Sequence, residues 1–89
     1  MLHFQNVSKR YTSGHEALRD VSLHIESGEL IFLTGHSGAG KSTLLKLIPI
    51  LERPSSGNII LDGANIVRMK KHYIPLLRRN IGMVFQDHH

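Results

Sequence analysis

The sequence predicts an α/β fold with a mixed sheet, and three features of its apolar pattern support this prediction. Residues 21–25 alternate between apolar and polar side chains, which is typical of a strand with one buried face. Residues 30–33 form a continuous apolar run, the pattern of a strand covered on both faces in a parallel sheet. From residue 42 the apolar residues recur at helical spacing instead. Strands that flank helices in this order are typical of α/β domains.

The elements before the helix are predicted to be strands. Leu2, Phe4 and Val7 indicate a first strand that ends in the polar stretch around Tyr11. The alternating residues 21–25 form the second strand, and its pattern favours antiparallel pairing because one face is polar. A turn then leads into the apolar run that is expected to form a buried strand.

The first helix is predicted to end early, at a proline. Its apolar stripe consists of Leu44, Leu45, Leu47, Ile48 and Leu51. Pro49 interrupts this stripe, and a proline at that point has no amide to donate and clashes with the carbonyl four residues earlier. We therefore expect the helix to kink or stop near Ile48.

The remaining segment predicts a hairpin, a short helix and a last strand. Residues 58–61 are strand-like, and Asp62-Gly63 forms a hairpin-type turn before a second short strand at Ile66-Val67. Residues 73–79 are expected to form a short helix with Pro75 in its first turn. The apolar run at residues 81–85 is again strand-like.

Composition excludes several functional classes. The 89 residues contain no cysteine, so disulfides and thiolate metal sites are excluded, and no segment approaches the roughly 18 to 20 apolar residues of a membrane span. The excess of positive charge lies in residues 63–89, which carry five basic and one acidic side chains. This charge could mark a surface that faces nucleic acid or anionic lipid. Because it lacks the interleaved aromatic platform of single-strand binders, we expect a solvated surface and no nucleic acid partner. The seven histidines show no metal-ligand spacing apart from the short terminal pair His88-His89.

The motif that carries chemistry lies between the apolar run and the helix. Gly35, Gly40, Lys41 and Ser42 match the phosphate-binding pattern G-x-x-x-x-G-K-[ST] in the strand–loop–helix context that it requires. The alternative interpretation, without a binding function, is a glycine-rich turn with a surface lysine. The chemistry of a triphosphate explains each residue type, because consecutive backbone amides can wrap its oxygens only where small residues allow a close approach.

The motif assigns a role to each of its polar groups. The N-terminus of the helix adds partial positive charge, Lys41 supplies a point charge for the β and γ phosphates, and the Ser42 hydroxyl is a ligand for Mg²⁺. The predicted nucleotide-binding set is Gly35, Ser37, Gly38, Ala39, Gly40, Lys41, Ser42 and Thr43.

Beyond this motif, the chain resembles the ATP-binding subunits of ABC transporters over almost its whole length. The resemblance lies in four segments in the family's order: residues 7–11, residues 17–29, the turn and hairpin at residues 54–63, and residues 81–86. It implies a P-loop NTPase fold in which an antiparallel β subdomain accompanies the Walker A strand, loop and helix. Pro49 departs from the family's pattern, which has a small residue and a glycine near that position.

The resemblance also implies roles for two further residues. Tyr11 would stack its ring on adenine, the alternative being a tyrosine at a strand end that packs on the core. Gln86, in the Q-loop, would contact Mg²⁺ or the attacking water and sense a membrane subunit; the alternative is a polar residue that ends a strand. Lys41 and Gln86 are then the expected catalytic residues, Ser42 and Gln86 the metal-binding ones, and ATP and Mg²⁺ the cofactors.

The implied biology is that of an ATPase on the cytoplasmic face of the bacterial inner membrane. Residues 1–89 would be the N-terminal portion of one ABC-type ATP-binding domain, ending just after the Q-loop and inactive without the rest. The complete domain would form a homodimer and act with a polytopic membrane subunit in cell division. Alternatives are a related lipoprotein-releasing or macrolide-export ATPase, a self-contained nucleotide-binding module without hydrolysis, and a fragment of a P-loop kinase.

Overall fold

The computed structural model describes residues 1–26 and 39–85, which form one antiparallel sheet and two helices. The strands are β1 (Leu2–Arg10), β2 (Glu16–Ile25), β3 (Ser56–Leu61) and β4 (Ala64–Asn65), arranged in the order β2-β1-β3-β4. The helices are α1 (Ala39–Leu47) and α2 (Ile74–Phe85), and a 3-10 turn at Lys71–Tyr73 precedes α2. The predicted strand at residues 30–33 lies outside the described residues.

β2 is longer than the predicted 21–25, because it begins at Glu16, and β1 and β2 each contain a residue in the left-handed conformation. Asn6 and Asp20 both have φ of 52°, a conformation that Asn and Asp tolerate better than most residues. At Asn6 the register shifts, and the buried positions change from Leu2 and Phe4 to Val7. The amides at these irregular positions stay paired, since Asn6 N donates to Ser22 Oγ and Asp20 N to Ser8 Oγ, each at 2.9 Å.

One core joins the sheet to both helices. Its buried residues are Leu2, Phe4, Val7, Leu18, Ile25, Leu44, Leu47, Ile48, Ile50, Ile59, Ile66, Ile74 and Leu77. The strand residues come from both hairpins, and the helical residues recur at the spacing of one helix face. The sheet, α1 and the first turns of α2 therefore share one core.

β3 can pair with β1 only because residue 57 is a glycine. Gly57 has φ of 93°, and a Cβ atom there would lie 2.3 Å from the carbonyl oxygen of Asn6 and 2.6 Å from Val7 Cα. These are backbone atoms, so neither can move aside as a flexible side chain could. Beyond β3, the predicted hairpin is confirmed, but β4 is Ala64–Asn65 rather than residues 66–67.

α1 ends at Leu47, next to the predicted stop near Ile48, and the chain leaves it through a Schellman motif. Leu51 N donates to Lys46 O at 2.8 Å and Ile50 N to Leu47 O at 3.2 Å, the two bonds that define this cap. The residue in the left-handed position, where glycine is usual, is Ile50 with φ of 55°. Ile50 is β-branched and only 8% exposed, so the turn combines backbone strain with a buried side chain.

α2 continues through residues 81–85, so the predicted strand there is wrong. Pro75 lies in the first turn of this helix, as predicted. Ile74, Leu77 and Ile81 recur at i, i+3 and i+7, and the helix keeps them on one face; the first two are buried and the third is half-buried. A helix satisfies its own backbone groups, whereas a strand at residues 81–85 would need a partner strand. A short apolar run alone does not distinguish the two structures.

The basic residues of the C-terminal part lie on the surface, as predicted. Arg68, Lys70, Lys71 and Arg79 are all exposed, on the segment before α2 and on the helix itself. Leu51, Tyr73 and Leu76 are exposed as well. Within residues 1–26 and 39–85, neither helix has the length and apolar character needed to cross a membrane.

Candidate nucleotide-binding site

The N-terminal turn of α1 contains the last residues of the phosphate-binding motif. Gly40 lies close to β2: a Cβ atom at this position would be 3.4 Å from Leu18 Cδ2 and 3.8 Å from the carbonyl oxygen of Ala17. Thr43 is buried, with 4% of its surface exposed. Lys41 is half-buried, and Ser42 is exposed. The glycine and the threonine thus hold the first turn against the sheet, while the lysine and the serine reach solvent.

The electrostatics of this turn favour an anion. The first turn of α1 contains no acidic residue, and the unpaired amides at a helix N-terminus carry partial positive charge. Among the described residues, neither Lys41 nor Ser42 makes a side-chain hydrogen bond or an ion pair. An ammonium and a hydroxyl without competing partners, at the positive end of a helix, suit a phosphate group.

The same turn fits Mg²⁺ only in combination with a phosphate. Within the described part of the chain, no group of three or more His, Asp or Glu side chains could hold a metal ion. Mg²⁺ commonly keeps several waters and takes few protein ligands beside the phosphate oxygens of its substrate. Ser42, whose hydroxyl is exposed, is the described residue able to supply one such ligand.

Tyr11 lies at the end of β1 and has contacts on several sides. Its hydroxyl donates to Glu52 Oε1 at 2.7 Å. The ring of His15 lies nearly parallel to it, with an interplanar angle of 6° and centroids 6.4 Å apart, and Lys9 Nζ is 5.2 Å from the Tyr11 centroid. The turn between Tyr11 and His15 is closed by a bond from Tyr11 N to His15 O at 2.8 Å. An adenine ring that stacks on Tyr11 would add a further contact to this side chain.

The structure brings part of the predicted site together. Gly40, Lys41, Ser42 and Thr43 occupy consecutive positions of the first turn of α1, which begins at Ala39. The other predicted residues, Gly35, Ser37, Gly38 and Gln86, lie outside the described residues. The roles of all these residues stay predictions.

No sequence pattern indicates the polar contacts around Tyr11. Glu52 is 41 residues away from Tyr11 along the chain, and Lys9 Nζ donates to Arg53 O across 44 residues, at 2.7 Å. Neither Glu52 nor Arg53 belongs to a motif, so only the position of the segment after α1 beside the end of β1 reveals these contacts. A local pattern could not have predicted them.

The sheet, the helix and the motif at its N-terminus define a P-loop nucleotide-binding protein with an antiparallel β subdomain. The chain belongs to the ABC transporter family, whose sequence model matches residues 18–89. This confirms the family and the fold that the four segments of the sequence predict.

Two similar proteins are cell-division ATP-binding proteins named FtsE. FtsE of Escherichia coli (strain K12) is 58% identical over 89 residues, an alignment that covers 100% of this chain and 40% of the relative. FtsE of Haemophilus influenzae is 49% identical over 89 residues, covering 99% of this chain and 41% of the relative. The chain therefore spans about two fifths of the length of these relatives.

Solved structures of ABC cassettes share the fold. A dimeric structure of MJ0796, described as a bacterial ABC transporter cassette, has a TM-score of 0.70 at 29% identity and covers 89% of this chain and 35% of that chain. A second dimeric structure, a post-hydrolysis state of MJ0796 bound to ADP and Pi, has a TM-score of 0.69 at the same identity and the same coverage.

Proposed function

We propose that the chain is the ATP-binding part of an FtsE-like ABC ATPase, which couples ATP binding and hydrolysis to a membrane partner in bacterial cell division. The observation that carries the proposal is the first turn of α1, where Lys41 and Ser42 have no partner among the described residues and no acidic side chain is present. The family match and the identity to two FtsE proteins support the rest. The alternatives are not favoured by these matches.

The phosphates would lie at the loop and the first turn of α1. The amides of the motif would donate to the phosphate oxygens, and Lys41 would balance their charge. Ser42 and Gln86 would hold Mg²⁺, which supplies charge stabilisation to the phosphoryl group when bound. The residues that we assign to the nucleotide are Tyr11, Gly35, Ser37, Gly38, Ala39, Gly40, Lys41, Ser42 and Thr43.

Hydrolysis would need residues beyond those of this chain. Phosphoryl transfer depends on positioning and on charge stabilisation around the γ-phosphate and the attacking water. We propose that residues 1–89 are the N-terminal portion of one ATP-binding domain, and that the 89 residues alone do not turn over ATP at a useful rate. An in-frame signature segment and an acidic strand end in the coding sequence after residue 89 are the expected finding, and a stop codon directly after it would contradict this proposal.

The partners of the complete domain would be a second copy and a membrane protein. The dimeric structures of MJ0796 support the homodimer. The membrane partner would be a polytopic FtsX-like subunit, which would keep the protein peripheral on the cytoplasmic face of the inner membrane, at the division site. Co-purification of the two subunits from membranes, lost when the membrane subunit is deleted, is the expected result.

Nucleotide binding is tested by titrating the isotopically labelled chain with Mg-ATP. We expect the largest amide chemical-shift changes at residues 39–43, in the first turn of α1, and at the loop before it. Sodium sulfate at the same ionic strength serves as the control for a general anion effect. A folded sample with no change at these amides would overturn the proposal.

A further inference from the structure

The hydroxyl of Tyr11 is attached to a residue outside the motif. Tyr11 Oη donates to Glu52 Oε1 at 2.7 Å, and the bond is partly shielded from solvent. Hydrogen bonds that involve an ionised group are stronger than neutral ones. The bond links the end of β1 to the segment that follows α1, so it fixes one end of the phenol side chain.

The segment that carries Glu52 is itself fixed to β1. Lys9 Nζ donates to Arg53 O at 2.7 Å. Ser55 N donates to Ser8 O at 2.8 Å, and Arg10 N donates to Ser55 Oγ at 2.9 Å. Glu52 therefore stands on a backbone segment that is held at several points, with its carboxylate within hydrogen-bond distance of the tyrosine.

The face of the Tyr11 ring is only partly covered by its own chain. Aromatic carbon atoms in close contact approach to about 3.5–4.0 Å. Nearly parallel rings with centroids 6.4 Å apart are thus either offset sideways or separated by a gap, so His15 is not in full stacking contact with the phenol ring, and Lys9 Nζ lies over that ring at 5.2 Å from its centroid. Tyr11 is half-buried, so part of its side chain remains accessible to a ligand.

We propose that Glu52 is a positioning residue that sets the orientation of the Tyr11 ring for the adenine base. This inference rests on the proposed function, in which Tyr11 stacks on adenine. A ring held in its binding orientation before the nucleotide arrives loses less freedom on binding than a free ring does. Glu52 acts through Tyr11 and does not touch the nucleotide.

The test is a double-mutant cycle measured with two ligands. Tyr11→Phe keeps the ring and removes the hydroxyl, and Glu52→Ala removes the acceptor; both are compared with the double variant. Mg-ATP affinity is measured beside that of Mg-tripolyphosphate, which has the phosphate chain without the base. We expect each single change to weaken ATP binding about three- to tenfold and to leave tripolyphosphate binding unchanged.

Three variants sharpen the result. The double variant is expected to bind ATP as tightly as either single variant, because both single changes break the same bond. Glu52→Gln keeps an acceptor oxygen and is expected to recover most of the ATP affinity lost in Glu52→Ala. Glu26→Ala, which removes an exposed carboxylate just after β2, is expected to change neither affinity.

Each contrary outcome has a distinct meaning. If Glu52→Ala weakens ATP and tripolyphosphate equally, Glu52 acts on the fold alone and the inference is wrong. If Tyr11→Ala weakens ATP binding and Glu52→Ala does not, the ring binds the base without positioning, which also overturns the inference and leaves the proposed function intact. If the unaltered chain binds neither ligand, the proposed function itself fails.

Discussion

The two ends of α1 differ in how their polar groups are used. At the N-terminal end, Lys41 and Ser42 make no side-chain hydrogen bond with any described residue. At the C-terminal end, Lys46 O accepts from Leu51 N and Glu52 N, and Arg78 donates to Pro49 O at 2.9 Å and to Ile50 O at 3.2 Å. The described polar side chains at one end have no partner within the described chain, and several carbonyl groups at the other end accept hydrogen bonds from the protein itself.

α1 has nine residues, and this difference assigns ligand binding to its N-terminal end and the stability of the fold to its C-terminal end. The C-terminal end and the segment after it connect β1, α1 and α2, so changes there are expected to lower the free energy of unfolding. Changes to Lys41 and Ser42 at the N-terminal end are expected to lower ligand affinity and leave the fold intact. Four predictions test this separation.

The largest effect is expected from Gly57→Ala, which disrupts the pairing of β1 with β3. The new Cβ atom would meet backbone atoms of Asn6 and Val7 in a conformation that alanine rarely adopts. We expect a loss of roughly 3 kcal/mol or more in the free energy of unfolding, measured by urea titration. Gly63→Ala is the matched control, because Gly63 also has positive φ but nothing within 4 Å of a Cβ; it should cost about 1 kcal/mol. Equal losses would contradict the steric explanation.

Lys41→Ala tests the open end. A hydrogen bond to a charged group contributes about 1.5–3 kcal/mol, so Mg-ATP affinity should fall about ten- to a hundredfold, measured by calorimetry. The urea midpoint should not change. Lys46→Ala removes the same charge from the last turn of α1 and should leave ATP affinity unaltered. A fall in the free energy of unfolding without a fall in Mg-ATP affinity would show that Lys41 stabilises the fold and does not bind the ligand.

Arg78→Ala removes the two donors that α2 directs to the end of α1. The two carbonyl oxygens then lose their partners, and we expect a loss of about 1–2 kcal/mol in the free energy of unfolding. Arg79→Ala removes an exposed neighbour and should change stability by less than about 0.5 kcal/mol. Tripolyphosphate affinity should be the same in both variants. If Arg78→Ala and Arg79→Ala are equally stable, the contacts of Arg78 do not hold α1.

The smallest effect concerns the backbone at Ile50. Ile50→Gly and Ile50→Ala both remove the buried side chain, so their difference reports the left-handed conformation. We expect the glycine variant to be the more stable by about 1 kcal/mol. At Lys46, in the last turn of α1, the order should reverse, with alanine more stable than glycine by a similar amount. The same order at both positions would show that Ile50 is unstrained in solution.

Structural elements that depend on one or two neighbouring residues were predictable from the sequence. Pro49 removes a donor and ended α1 where expected, and Asp62-Gly63 formed the turn of the β3–β4 hairpin. Residues 81–85 were not predictable, because a five-residue apolar run suits both a strand and the end of a helix. The structure decides between them through the spacing of Ile74, Leu77 and Ile81.

The residues of the site also divide into those that were predictable from the sequence and those that were not. The motif residues at the start of α1 follow from the chemistry of phosphate binding, which requires small residues, a cation and a hydroxyl at fixed spacing. Glu52 acts through one hydrogen bond and Arg78 through two, all to residues far away in the chain, and no spacing rule applies to them. The strain at Ile50 was equally hidden, because the sequence pattern shows a buried apolar residue and not its φ angle.

The central place of β1 in the sheet has a consequence for synthesis. Its first neighbour, β2, is complete once residue 25 has left the ribosome, since Arg10 pairs with Glu16 and Leu2 with Ile25. Its second edge has no partner until Leu61 follows, because Leu2 pairs with Leu61. Contacts between distant residues form slowly, and an unpaired strand edge invites association with other chains. All of α1 is translated during that interval, so the nascent chain presents its helix before the sheet that supports it is closed.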